Sequence, residues 1–113
     1  MRAYTTSGND PTPRDTDGAL IIGLMVRRAL RQSVVTVGAT ATQMPATPLA
    51  RRLSIVFINL GTTPVYIGDS SVTAVNGFPI YPRAVMRIEI EDSIDIYGIV
   101  SSGTAEVRVL EGG

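Results

Sequence analysis

RRLSIVFINLGTTPVYIGDSSVTAVNGFPIYP, residues 51–82, decides the fold. Leu53–Leu60 is a run of β-branched and aromatic residues, long enough for a buried strand and short for a helix. Gly61-Thr62-Thr63-Pro64 breaks the run, and Val65-Tyr66-Ile67-Gly68 begins a second strand at once. So short a break between two apolar runs predicts a hairpin. Asp69-Ser70-Ser71 and Asn76-Gly77 predict two further turns, because Asp and Ser side chains bond their own backbone and Asn-Gly tolerates positive φ. The centre of the chain therefore reads as a tightly turned antiparallel meander, with no catalytic group in it.

On the C-terminal side, Val85–Glu91 alternates, with Met86, Ile88 and Ile90 inward and Arg87, Glu89 and Glu91 outward. Asp92-Ser93 turns the chain, Ile94–Val100 is the next strand, and Ser101-Ser102-Gly103 is the next turn. Ala105–Leu110 closes the series, with Val107 and Val109 on one face and Glu106 and Arg108 on the other, and Glu111-Gly112-Gly113 reads as a short tail. On the N-terminal side, Gln43–Ala50 holds Pro45 and Pro48 and reads as a loop. Ser33–Thr42 alternates, with Val35, Val37, Ala39 and Ala41 sharing a face, which predicts a half-buried strand.

Gly18–Gln32 is ambiguous. Ala19–Val26 is apolar on both faces and far too short to span a bilayer. Asp17 suits a helix N-cap, and Arg27, Arg28 and Arg31 suit its C-terminal end. Against a helix, Gly23 lies mid-run and the apolar residues are consecutive, which favours a strand covered on both sides, by the core and a loop or by a neighbouring subunit. Met1–Asp17 is polar and rich in Gly, Pro, Thr and Asp; alone it reads as a flexible, extended arm that a partner chain holds. It is not the pattern of a signal peptide, since the apolar stretch comes late and no small-residue cleavage site follows. The expected fold is all-β: an antiparallel sandwich or small barrel of about seven or eight short strands, with an N-terminal arm over residues 1–17 and one β-domain over 18–113.

Composition narrows the chemistry. The chain has 113 residues, one domain's worth, with 10 Arg and Lys against 10 Asp and Glu, so its net charge gives no pull toward nucleic acid or an anionic membrane. It has no Cys and no His, which removes disulfides, thiolate chemistry, the commonest general base and the commonest metal ligand. All ten basic residues are Arg. They are placed unevenly: residues 1–52 hold seven Arg and three Asp, and residues 53–113 hold three Arg and seven acids. Sandwich faces can simply differ in charge. The functional reading is that the basic half of one copy meets the acidic half of another, which suits an assembling protein.

Glu89, Glu91, Asp92 and Asp95 form the densest acid group, but they sit on an outward strand face and in a turn, at no calcium-loop spacing. A solvated face is the expectation there, and an Asx turn at Asp69-Ser70-Ser71, with no His or Lys to activate a serine. No Gly-Lys-Ser/Thr phosphate loop occurs, and few aromatics interleave with Arg27-Arg28 or Arg51-Arg52. Tyr66, Tyr81, Tyr97 and Phe78 read as core or interface residues before a sugar platform. No enzyme activity, cofactor or metal is expected.

From about Ser33 to Glu111 several motifs occur in order. They are Pro48-Leu49-Ala50-Arg51-Arg52, Ile58-Asn59-Leu60-Gly61, Val65-Tyr66-Ile67-Gly68, Val72-Thr73, Asn76-Gly77, Tyr97-Gly98-Ile99 and Gly103-Thr104-Ala105-Glu106-Val107-Arg108-Val109. Each is weak alone. The ordered set, covering about two-thirds of the chain, resembles a small β-domain of tailed-phage and prophage virion proteins. The sequence departs from that pattern at Pro82-Arg83-Ala84, where Pro-Gly-Glu is usual. The resemblance implies a structural, non-enzymatic virion component: a capsid decoration (cement) protein, a head fibre, or a tail, baseplate or head–tail connector subunit. Decoration is favoured by the arm, the apolar segment beside it and the opposed charge halves. The implied partners are the major capsid protein and further copies of the chain, as a homo-oligomer with a trimer first, and the implied location is the capsid surface. The residues expected to meet partners are Arg2, Tyr4, Arg14, Arg27, Arg28 and Arg31. A carbohydrate-binding module is the alternative of another class.

Overall fold

The computed structural model describes residues 28–113. Its described residues fold as an all-β sandwich. The strands are β1 Leu30–Val37, β2 Thr42–Gln43, β3 Ser54–Asn59, β4 Val65–Gly68, β5 Phe78–Ile80, β6 Val85–Glu89, β7 Tyr97–Ile99 and β8 Ala105–Gly112. They make two antiparallel sheets: sheet A in the order β1-β8-β3-β6 and sheet B in the order β2-β7-β4-β5. First-half strands pair with second-half strands, β1 with β8, β2 with β7, β3 with β6 and β4 with β5. That is one long antiparallel hairpin rolled over on itself. The added contacts of β3 with β8 and β4 with β7 close the roll. This strand order is a jelly roll.

The alternating patterns do the folding. Val35 and Val37 of β1, Ile55 and Phe57 of β3, and Ala105, Val107 and Val109 of β8 point into the sandwich. They meet Val65, Ile67, Ile80, Ile96 and Val100 from the sheet B side, with Met44 beside them. Burying each large apolar side chain contributes roughly 1.5–3 kcal/mol, so a core of this kind holds the two sheets together without covalent staples.

Three expectations are corrected. Leu53–Leu60 and Val65–Gly68 do not form a hairpin, because β3 lies in sheet A and β4 in sheet B. β3 is a central strand whose two edges are taken by β8 and β6, so no edge is left for β4. Asn59 directs the crossing: it is fully buried, its Nδ2 donates to the Thr63 and Ile80 carbonyls (both 2.9 Å), and its Oδ1 accepts from Gly61 N (2.8 Å). Gly61 is required there, since a Cβ would lie 2.6 Å from that of Ala105. Second, Glu111 and Gly112 are not tail but the end of β8, with Glu111 fully buried. Third, the strand expected over Ser33–Thr42 is displaced to Leu30–Val37 and ends before Gly38. For Gly18–Gln32, residues 30–32 are strand; the remainder of that choice, through residue 27, and the arm over 1–17 lie outside the described residues.

Candidate functional site

The most constrained polar group in the described domain lies where sheet A ends. Alternation along β8 puts Glu111 on the same face as Val107 and Val109, with Arg31 and Ile55 as its cross-strand neighbours. Oε1 of Glu111 accepts from Arg31 Nε (3.1 Å) and Nη2 (2.6 Å). Oε2 accepts from Arg52 Nη1 (3.0 Å) and from Leu49 N (3.0 Å). Arg52 is itself 1% exposed and donates through Nε to Ile90 O (3.3 Å) and through Nη2 to Glu91 O (3.0 Å) and Ile94 O (2.8 Å). Arg31 also donates to the Thr47 carbonyl. One carboxylate thus ties together β1, β8, the loop before β3 and the β6–β7 connection. No buried side-chain polar atom of the cluster lacks a partner, which is what permits charges in so dry a place.

The expected partner-binding residues fall as follows. Arg2, Tyr4, Arg14 and Arg27 lie outside the described residues. Arg28 is exposed, and its backbone N–H and that of Ala29 (2.9 Å) donate to Gly113 O. Arg31 spends its guanidinium on Glu111 within the chain, with 36% of its side chain left in contact with solvent. Sequence reasoning missed Glu111 and Arg52 as a buried pair. The signal was present in the alternation Ala105, Val107, Val109, Glu111, which puts Glu111 on the inward side once the strand is carried to Gly112.

The acid group does not converge. Glu89 pairs with Arg87 (2.9 Å), Glu91 accepts from Ser93 Oγ (3.0 Å), and Asp92 accepts from Arg51 N (2.9 Å). Among the described residues no three acidic side chains gather at a metal-binding distance. Asp69 makes the expected Asx turn, accepting from Ser71 Oγ (2.7 Å) and Ser71 N (3.0 Å). Those two bonds, the hydroxyl's first, hold its carboxyl below the ordinary value of 3.8. The β4–β5 loop is knitted further by Thr73 and Asn76, whose side chains bond each other's backbone N–H groups (3.1 and 2.8 Å).

Two outward faces of the described residues carry aromatic or apolar side chains. On the outward side of sheet B, Tyr66 and Tyr97 are half-buried and diagonal to each other across the β4–β7 pair. Tyr81, past the end of β5, is 60% exposed. On the outward side of sheet A, Val34, Val56, Ile58, Val85 and Leu110 line a shallow, mostly apolar depression of about 480 Å³. No family model matches the chain, and no curated protein matches it.

Proposed function

We propose that this chain is a structural virion protein of a tailed phage that decorates the capsid shell, its arm gripping the shell and its β-domain forming the head. The observation that carries this reading is the jelly-roll order of the eight strands, an architecture used by viral capsid and lectin domains and by cupins. It is a fold-level analogy, joined to the ordered motifs of the phage β-domain resemblance. One local feature adds support. Arg83, at the position where that pattern carries Gly, has φ +69°, a left-handed backbone that Gly adopts freely.

The test is the copy number of the chain in purified particles of the phage that encodes it, by quantitative mass spectrometry against the major shell protein. A ratio near that of the shell protein supports decoration. A count matching one small closed ring moves the chain to the tail, baseplate or connector. Absence from the particle overturns the virion role.

A second reading is favoured by the pair Tyr66 and Tyr97 on one outward sheet face, a geometry on which a sugar ring stacks. A glycan array probed with the wild-type chain and with Tyr66→Ala/Tyr97→Ala tests it: binding that the double variant loses would support a glycan role, and no binding removes it.

A further inference from the structure

We propose that the β5–β6 turn of one copy, which carries Tyr81 and Arg83, docks in the apolar groove between edge strands β5 and β6 of a second copy. The groove comes from a sandwich that is not closed along one side. Phe78 faces Ile67 across the β4–β5 pair, and Met86 and Ile88 face Phe57 and Ile55 across the β3–β6 pair, so all three point between the sheets. Their cross-strand neighbours are buried, yet Phe78 is 65% exposed and Met86 and Ile88 are half-buried. The two edge strands stand apart here and leave an open cavity of about 460 Å³. Ile94, from the β6–β7 connection, adds a side chain 53% exposed. Asp69 and Asp95 belong to the same lining, both exposed, and its described residues include no basic side chain. The Ser71 bonds keep Asp69 ionised, and Asp95 bonds to none of the described residues. A groove of this kind suits an occupant with an apolar tip and a positive charge beside it.

The β5–β6 turn has that chemistry. Ala84 N donates to Tyr81 O (2.9 Å), Pro82 stands second and Arg83 third with φ +69°, the pattern of a type II turn whose third position normally holds Gly. Arg83 N donates to Asn59 O (2.7 Å) and Asn59 N to Ala84 O (3.3 Å), so the turn is fastened to a buried residue of β3 and needs no partner to keep its shape. Tyr81 is 60% exposed, and the exposed guanidinium of Arg83 bonds to none of the described residues. An arginine in a left-handed conformation that glycine would adopt freely is an outlier, and such outliers point to a use for the side chain. Tyrosine and arginine are also the residues on which interface energy concentrates. In the groove, the Tyr81 ring would lie on Phe78 and Ile88, and Arg83 would meet the carboxylates of Asp95 and Asp69.

The turn contributes no residue to the groove, so the contact is heterologous. Each copy offers both surfaces, and successive copies close a ring or extend a filament.

The contact stands apart from the virion role, and its test uses the isolated full-length chain, so the outcome is independent of the copy-number result. Sedimentation velocity is run over a concentration series for the wild type, for Arg83→Glu, for Asp95→Arg and for an equimolar mixture of the two variants. The wild type should self-associate reversibly. Each variant alone should associate about tenfold or more weakly, because like charges then meet. The mixture should recover association, since the altered turn of one variant faces the altered groove of the other and the native turn faces the native groove. Tyr81→Ala, which changes no charge, should show the same loss and serves if either reversal disturbs folding. A wild type that stays monomeric overturns the proposal. Undiminished association of either charge variant overturns it too, by placing the contact elsewhere, and so does a mixture that stays dissociated.

Discussion

Glu111→Gln is the sharpest perturbation this fold offers. The carboxylate receives four N–H donors, two on each oxygen, from Arg31, Arg52 and Leu49. Glutamine preserves the shape but turns one oxygen into an NH₂ group, which then faces two donors. Arg31 can swing its 36%-exposed head to water, but Arg52, 1% exposed, cannot. Leaving one member of a buried pair uncompensated costs about 3–5 kcal/mol, a large share of a small domain's total of roughly 5–15 kcal/mol. With a urea dependence on the order of 2 kcal/mol per molar, the unfolding midpoint should fall by about 2 M. The assay is equilibrium urea unfolding followed by far-UV circular dichroism and tyrosine fluorescence, the chain having no Trp. A Glu111→Gln midpoint within about 0.5 M of wild type would refute the reasoning.

Arg83→Gly should stabilise the domain by about 0.5–1 kcal/mol, because relief of a left-handed φ, roughly 1–2 kcal/mol, outweighs the added chain entropy of Gly; a lower urea midpoint would sink this. Thr63→Val should be neutral or stabilising by about 1 kcal/mol, since the Thr63 hydroxyl is buried without a partner, and a clear loss of stability would mean the hydroxyl is satisfied in solution. Ser71→Ala should move the Asp69 carboxyl back up toward its ordinary value, read by NMR titration of its side-chain carbon. The sign follows from the depressed folded value: what the Asx turn adds to stability is present above the ordinary carboxylate pKa and is lost as pH falls through the depressed one. On the proposed decoration role, deleting residues 1–17 should leave the β-domain folded, by circular dichroism, and abolish binding to the shell in a co-sedimentation assay; undiminished binding would show that the arm is not the anchor.

How far the sequence was legible differs by level. Strand content and the inward positions followed from alternation, so Met86, Ile88, Val107 and Val109 fall on the inner faces as expected. Sheet membership did not. A four-residue break is the length of a hairpin loop, and nothing local in Gly61-Thr62-Thr63-Pro64 states that β3 has already given both edges to β8 and β6. Asn59 carried the clue, because a polar residue ending the apolar stretch Ile55–Ile58 needs buried partners, and the Thr63 carbonyl across the break is one of them. The motifs behind the phage resemblance are largely fastenings of this kind. Leu49 and Arg52 grip Glu111, Asn59 bonds across the crossing, and Asn76 closes the β4–β5 loop.

The division of charge between the halves has a physical use inside a single chain. In a rolled hairpin each first-half strand lies against a second-half strand, so a basic first half and an acidic second half attract within the molecule. Arg31 and Arg52 on Glu111 are two such contacts. Opposed halves therefore favour the correct roll over an exchange of strands only weakly, since another copy offers the same charges. Charges that serve an external partner must be sought elsewhere, among exposed residues such as Arg28, Arg51 and Arg83. Salt separates the two uses. Association through exposed arginines should weaken as ionic strength rises, while the Glu111 cluster, buried from solvent, should lose little of its contribution.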